Sequence, residues 1–184
     1  MRWVWIDAFE EFYSGRSARA VKAISLAGSH VHDLYPGYPV MPHALIIEGL
    51  AQTGGILVGE ANDFTEKVVL AKIPRIEFYD HAVAGDRLHY EVTLTELRFE
   101  GAIVEGKVYR NGELLAEAEI VYAHLDKSRA GDDVLSAKNF VFTKDHLTAL
   151  LKLARGSYQT KPSPNRVSEP SALAVDRVGN NGRI

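Results

Sequence analysis

The stretch from Leu34 to Glu60, LYPGYPVMPHALIIEGLAQTGGILVGE, limits the folds open to this chain more than any other. Pro36, Pro39 and Pro42 recur at every third position, so the approach is a stiff, extended loop that cannot itself be helical. Pro42 stands where a helix would begin, its fixed φ suited to a first helical position. From Ala44 onward Leu45, Ile46, Ile47, Leu50, Ala51, Ile56, Leu57 and Val58 leave no hydrophilic stripe, which predicts a helix buried on all sides. Gly49, Gly54 and Gly55 weaken such a helix, and close approach by other backbone would compensate. Glu48 and Gln52 share one face of it, four residues apart. A buried carboxylate is costly and demands a reason.

A helix of this kind needs a sheet to cover it, and the flanking sequence supplies strands. Met1 to Glu11 reads as a strand entering a turn at Ser14-Gly15, and Ala18 to Leu26 as its return. Gly28 to Tyr35 is a polar loop carrying His30 and His32. Val68 to Tyr79 is β-rich, and Pro74 within it predicts an edge, a bulge or a strand end. After the turn Val83-Ala84-Gly85-Asp86, Leu88, Tyr90, Val92 and Leu94 alternate with His89, Glu91, Thr93 and Thr95. Ala102 to Arg110 is joined to Leu114 to Leu125 by Asn111-Gly112, a strong hairpin signal. A hairpin, a buried helix and then three or four antiparallel strands predict an α+β fold. Residues 127–142 read as a connector, 143–155 as an amphipathic C-terminal helix with Thr143 as N-cap, and 156–184 as a structureless tail.

The totals exclude several classes of function. A net charge of −3 does not suit a nucleic-acid binder. The apolar run near Ala44 to Val58 is broken by Glu48, Gln52 and Thr53 and is short for a membrane span. With no cysteine, disulfides, thiolate metal sites and cysteine nucleophiles are ruled out. His30, His32 and His43 match no standard ligand spacing, so no metal site is expected. No leader is read at the N-terminus, and a cytoplasmic protein is expected.

The run PGYPVMPHALIIEGLAQ closely resembles the signature of the 3-hydroxyacyl-(acyl carrier protein) dehydratases of bacterial fatty-acid synthesis, and WIDAFEEFYSGRSARAVKAIS resembles that family's first hairpin. The resemblance covers roughly Trp5 to Leu125. It implies a hotdog fold over residues 1–126, a curved antiparallel sheet wrapped around one long buried helix. It further implies a homodimer, with sites at the subunit interface and an acyl thioester as substrate. No bound cofactor is implied, since the carrier's phosphopantetheine arm presents the acyl group. Basic residues would meet the acidic carrier, with Lys72, Arg75 and Arg87 as candidates.

In that family a loop histidine takes the proton beside the thioester carbonyl. A backbone N–H at the helix start holds the carbonyl oxygen, and a helix carboxylate from the other subunit handles the departing hydroxyl. Carried across, the carboxylate is Glu48 and its frequent neighbour is Gln52. The histidine position holds Leu34, which cannot move a proton, and the helix-start glycine is His43. Leu34, Tyr35, Pro42, Ala44 and Gln52 would line the substrate. Three readings follow: His43 replaces the base, His32 swings in from the loop, or the chain only binds acyl groups or serves as a heterodimer partner. An acyl-thioester hydrolase using Glu48 alone is a further alternative. Five residues at 3.6 per turn set His43 and Glu48 roughly 140° apart, so pairing across two subunits is easier than within one. His30 and His32 are expected to be solvated, and His81, His89, His124 and His146 to be unremarkable.

Overall fold

The computed structural model describes residues 4–35, 37–125, 149–150 and 158–159. β1 (Ala8–Tyr13) and β2 (Ser17–Ala23) form the opening hairpin, and a short 3-10 helix follows at Ser29–His32. The central helix α1 (His43–Ala61) comes next. β3 (Lys67–Phe78), β4 (Arg87–Leu97), β5 (Gly101–Arg110) and β6 (Glu113–Leu125) complete the antiparallel set. The sheet order is β3-β6-β5-β4-β2-β1, and β7 (Tyr158–Gln159) adds two residues in parallel beside β1. One antiparallel sheet against one long helix is the expected hotdog arrangement.

The alternation along β4 buries Leu88, Tyr90 and Val92 under α1, and Ala102, Val104 and Val108 of β5 continue that face. Leu115, Ile120 and Tyr122 of β6 do the same, so the core is a single layer between helix and sheet. Each fully buried aliphatic side chain contributes about 1.5–3 kcal/mol relative to exposure. Asn111 (φ 51°) and Gly112 (φ 96°) both adopt the left-handed conformation that a two-residue turn between β5 and β6 requires. β3 is an edge strand, and its pairing with β6 slips between Leu70 and Lys72 and again between Lys72 and Arg75, just before and across Pro74.

The helix differs from expectation in three details. Pro42 has ψ 132°, so it caps α1 and His43 is the first helical residue. What closes on the glycines is tyrosine rather than backbone: a Cβ at Gly49 would lie 2.5 Å from Cζ of Tyr90, and one at Gly54 2.5 Å from the Tyr122 hydroxyl. Side-chain volume removed from the helix is thus replaced by two rings from the sheet. Finally, its 19 residues are long and apolar enough to cross a membrane, contrary to the expectation of a short run, yet most of them are buried inside the domain.

Of the predicted C-terminal helix, residues 149 and 150 are described; both are helical, and Leu150 packs against the core. The rest of 143–155 and the connector 127–142 lie outside the described residues. The structureless tail expected over 156–184 does not hold at Tyr158–Gln159, where the chain pairs with the open edge of β1. An extended segment that reaches such an edge satisfies backbone groups that would otherwise face solvent.

Candidate active site

The loop before α1 is pinned to the turn before β4. Val40 bridges to Val83, and the Met41 N–H donates to the Ala82 carbonyl at 2.8 Å. Met41 itself is fully buried. These contacts bring the helix start against the end of β3 and the residues just beyond it.

His43 consequently stacks flat on Phe78, with ring centroids 3.9 Å apart and planes at 2°. Its Nε2 lies 3.1 Å from Nδ1 of His81. Burial holds the His43 imidazole below its ordinary pKa, and the neighbouring His81 acts in the same direction. A neutral ring is what a proton acceptor requires. At the helix start the N–H groups of Leu45 and Ile46 both donate to the Pro42 carbonyl, and no side chain caps the end. The N–H groups of His43 and Ala44 thus belong to the first turn, where a developing negative charge is favoured.

About two and a half turns on from His43, Gln52 joins two groups. Its Oε1 accepts the backbone N–H of Trp5 at 2.7 Å, and its Nε2 donates to Oε1 of Glu48 at 2.7 Å. Gln52 is buried and Glu48 half-buried, so the amide fixes the carboxylate while leaving it accessible. Glu48 and His43 remain on different faces of α1, as the helical spacing predicts.

The remaining candidates divide clearly. Leu34, Tyr35 and Tyr38 are exposed apolar side chains on the loop, and Ala44 is exposed at the first turn. His32 turns back onto its own loop, its Nε2 2.9 Å from the Leu26 carbonyl, which does not favour it as the base. His30, expected in solvent, packs in a T-shaped pair with Trp5, centroids 4.9 Å apart and planes at 89°, an arrangement that aromatic rings favour. Lys72 and Arg75 lie exposed on β3, whereas Arg87 is engaged by Glu10 at 2.6 Å.

Two histidines expected to be unremarkable are not. His81 lies past β3 rather than on a strand and completes the cluster with His43. His124 is buried on β6, its Nδ1 3.3 Å from both Oε2 of Glu66 and Nδ2 of Asn62. Neither contact has a local motif, since each joins residues far apart in sequence. Among the described residues no group of three or more His, Asp or Glu could hold a metal ion.

Residues 4–119 match the model of the FabA-like domain family. The 3-hydroxyacyl-[acyl-carrier-protein] dehydratase FabZ of Aliarcobacter butzleri is 34% identical over 128 residues, 66% of this chain and 87% of that protein. FabZ of Pelotomaculum thermopropionicum is 38% identical over 119 residues, 64% of this chain and 85% of that one. Among solved structures, the dehydratase heterocomplex ApeI:P from Xenorhabdus doucetiae superposes with a TM-score of 0.57 at 16% identity, covering 67% of this chain and 86% of that one. Protein PH1136 from Pyrococcus horikoshii superposes with a TM-score of 0.55 at 19% identity, covering 67% and 86%. At those identities the two structures show a shared fold.

Proposed function

The chain belongs to the FabA-like family, and from that membership we propose that it removes water from a 3-hydroxyacyl thioester carried on acyl carrier protein, giving the 2-enoyl thioester for fatty-acid synthesis. The relatives named as 3-hydroxyacyl-(acyl carrier protein) dehydratases support the reaction. The observation that carries the site is the Trp5–Gln52–Glu48 hydrogen-bonded clamp on α1, which presents a carboxylate from an otherwise apolar helix.

In this reading His43 takes the C2 proton. Negative charge building on the thioester oxygen meets the N–H groups of the first helical turn. The C3–O bond then breaks as Glu48, entering the cycle as the carboxylic acid, gives its proton to the departing hydroxyl and is left as the carboxylate, and the C2–C3 double bond forms as water leaves. His43 returns its proton to solvent or to the carboxylate. Because the two side chains occupy different faces of one helix, Glu48 of the partner subunit faces His43 in a homodimer. The exposed Leu34, Tyr35 and Tyr38 then cover the acyl chain and the partner. Pro42 and Ala44 line the thioester end. Leu34, in the place of the family's histidine, becomes an apolar wall rather than a base. Lys72 and Arg75, exposed on β3, meet the acidic carrier.

Turnover in the hydration direction tests this. With a crotonyl thioester, enoyl absorbance should fall without release of free thiol. Thiol release would make the chain a hydrolase built on Glu48. Silence in both channels, from a folded dimer on carrier-linked and coenzyme A substrates, would leave an acyl-binding or heterodimer partner.

A further inference from the structure

His81 carries the deeper consequence of the rearranged site. It is exposed, and its position is set by backbone rather than by packing. The Asp80 carboxylate accepts the His81 N–H at 2.7 Å, and Arg110 donates to the His81 carbonyl at 2.5 Å. Arg110 also pairs with Asp80 at 2.8 Å, so both sides of the residue are tied to β5. Its ring is thereby offered to His43, which stacks on Phe78, with the two imidazoles 5.0 Å apart by centroid and inclined at 20°. A carboxylate and a guanidinium thus fix the His81 backbone, and the imidazole leaves that fixed point to meet His43.

We propose that His81 is a positioning residue for His43: its Nδ1 and the His43 Nε2 share one proton, and this fixes the orientation of the base and keeps the pair from carrying two charges. The inference rests on the reading of His43 as the base. Two neutral rings hold one N–H each, and one of these fills the 3.1 Å gap. With the His43 Nε2–H donated to His81 Nδ1, the His43 Nδ1 lone pair takes the substrate proton and the pair becomes singly charged. A second proton would set two cations at hydrogen-bond distance, which is strongly disfavoured. The groups facing the pair are the Phe78 ring of β3, Asp80 with its backbone and carboxylate, and Arg110 of β5; Glu113 draws on the same guanidinium at 3.5 Å.

The test is a set of His81 variants assayed for kcat/KM across pH. His81→Ala should lose about tenfold, the kinetic equivalent of one hydrogen bond. His81→Asn places its amide where Nδ1 stood and should recover most of that loss, whereas His81→Gln, which imitates Nε2, should not. The acid limb of the profile should move to higher pH in His81→Ala and His81→Asn, because the His81 charge, which after burial lowers the His43 pKa, has gone. In a His43→Ala background, His81→Ala should cost nothing further. An equal loss in both backgrounds, or an unmoved acid limb with Asn no better than Ala, would overturn the proposal. If His43→Ala itself kept full activity, the reading of the base would fall first. The imidazole pKa of His43, followed by NMR with and without His81, would then decide the pairing: a rise on removing His81 supports it, and no change refutes it.

Discussion

The same substitution at two glycines of α1 should have opposite signs. At Gly49 a new Cβ would sit 2.5 Å from both Cζ and the hydroxyl oxygen of Tyr90 and 2.7 Å from Cε2. Tyr90 is fully buried beneath the helix, so ring and helix must separate. Overpacking of this kind costs about 1–3 kcal/mol, and overlap with two ring atoms and the hydroxyl oxygen places it near the upper end. Replacing a mid-helix Gly by Ala returns about 1 kcal/mol. The net for Gly49→Ala is therefore a loss of about 2 kcal/mol, or about 4–8 °C in Tm for a chain of this size. At Gly55 the nearest atom is Cε1 of Tyr122 at 3.5 Å, an ordinary contact. Gly55→Ala should keep the helical gain of about 1 kcal/mol and raise Tm by about 2–4 °C. Thermal and urea unfolding at one fixed protein concentration would measure both. A Gly49→Ala protein as stable as Gly55→Ala would refute the packing of Tyr90 against the helix, and with it the account of why the helix contains glycine.

Other perturbations reach the site. Gln52→Leu removes the bonds to Trp5 and Glu48 and should cost about 1–3 kcal/mol in urea unfolding, with a loss of turnover on top of it. Tyr90→Phe removes a buried hydroxyl that has no hydrogen-bond partner among the described residues, so Tm should hold or rise. His43→Ala should leave Tm nearly unchanged while lowering kcat by about 10²–10⁴. Burial lowers the pKa values of His30, His43 and His89 from 6.5. The unfolded chain therefore binds more protons as pH falls below about 6.5, and stability should decline from there toward acid, which a pH series of urea midpoints would show.

Much of the scaffold was legible because it rests on local signals. The alternation from Leu88 to Leu94 identified the buried face of β4, and Asn111-Gly112 identified the turn by the left-handed conformations both residues adopt. Pro74 signalled an edge, a bulge or a strand end, and β3 is an edge strand whose register slips there, since an edge tolerates a missing donor. Glu48 and Gln52 stood out as polar residues in an apolar helix. What escaped notice depends on long-range geometry. His81 meets His43 only because β3 ends beside the helix start, and nothing in the thirty-odd intervening residues announces that. His30 and His124 were misjudged for the same reason: Trp5 and Glu66 reach them through tertiary packing. The glycines signalled a close approach but not by what, because the tyrosines that fill the space come from strands β4 and β6.

A hybrid dimer tests the central claim most directly. One copy carries His43→Ala and the other Glu48→Gln, with the two distinguished by affinity tags and purified together. If His43 of one subunit works with Glu48 of the other, each homodimer is inactive, while the hybrid contains one intact site and turns over at about half the wild-type rate. A hybrid as silent as its parents would contradict the account, and the chemistry would then have to be sought within a single subunit or in other residues.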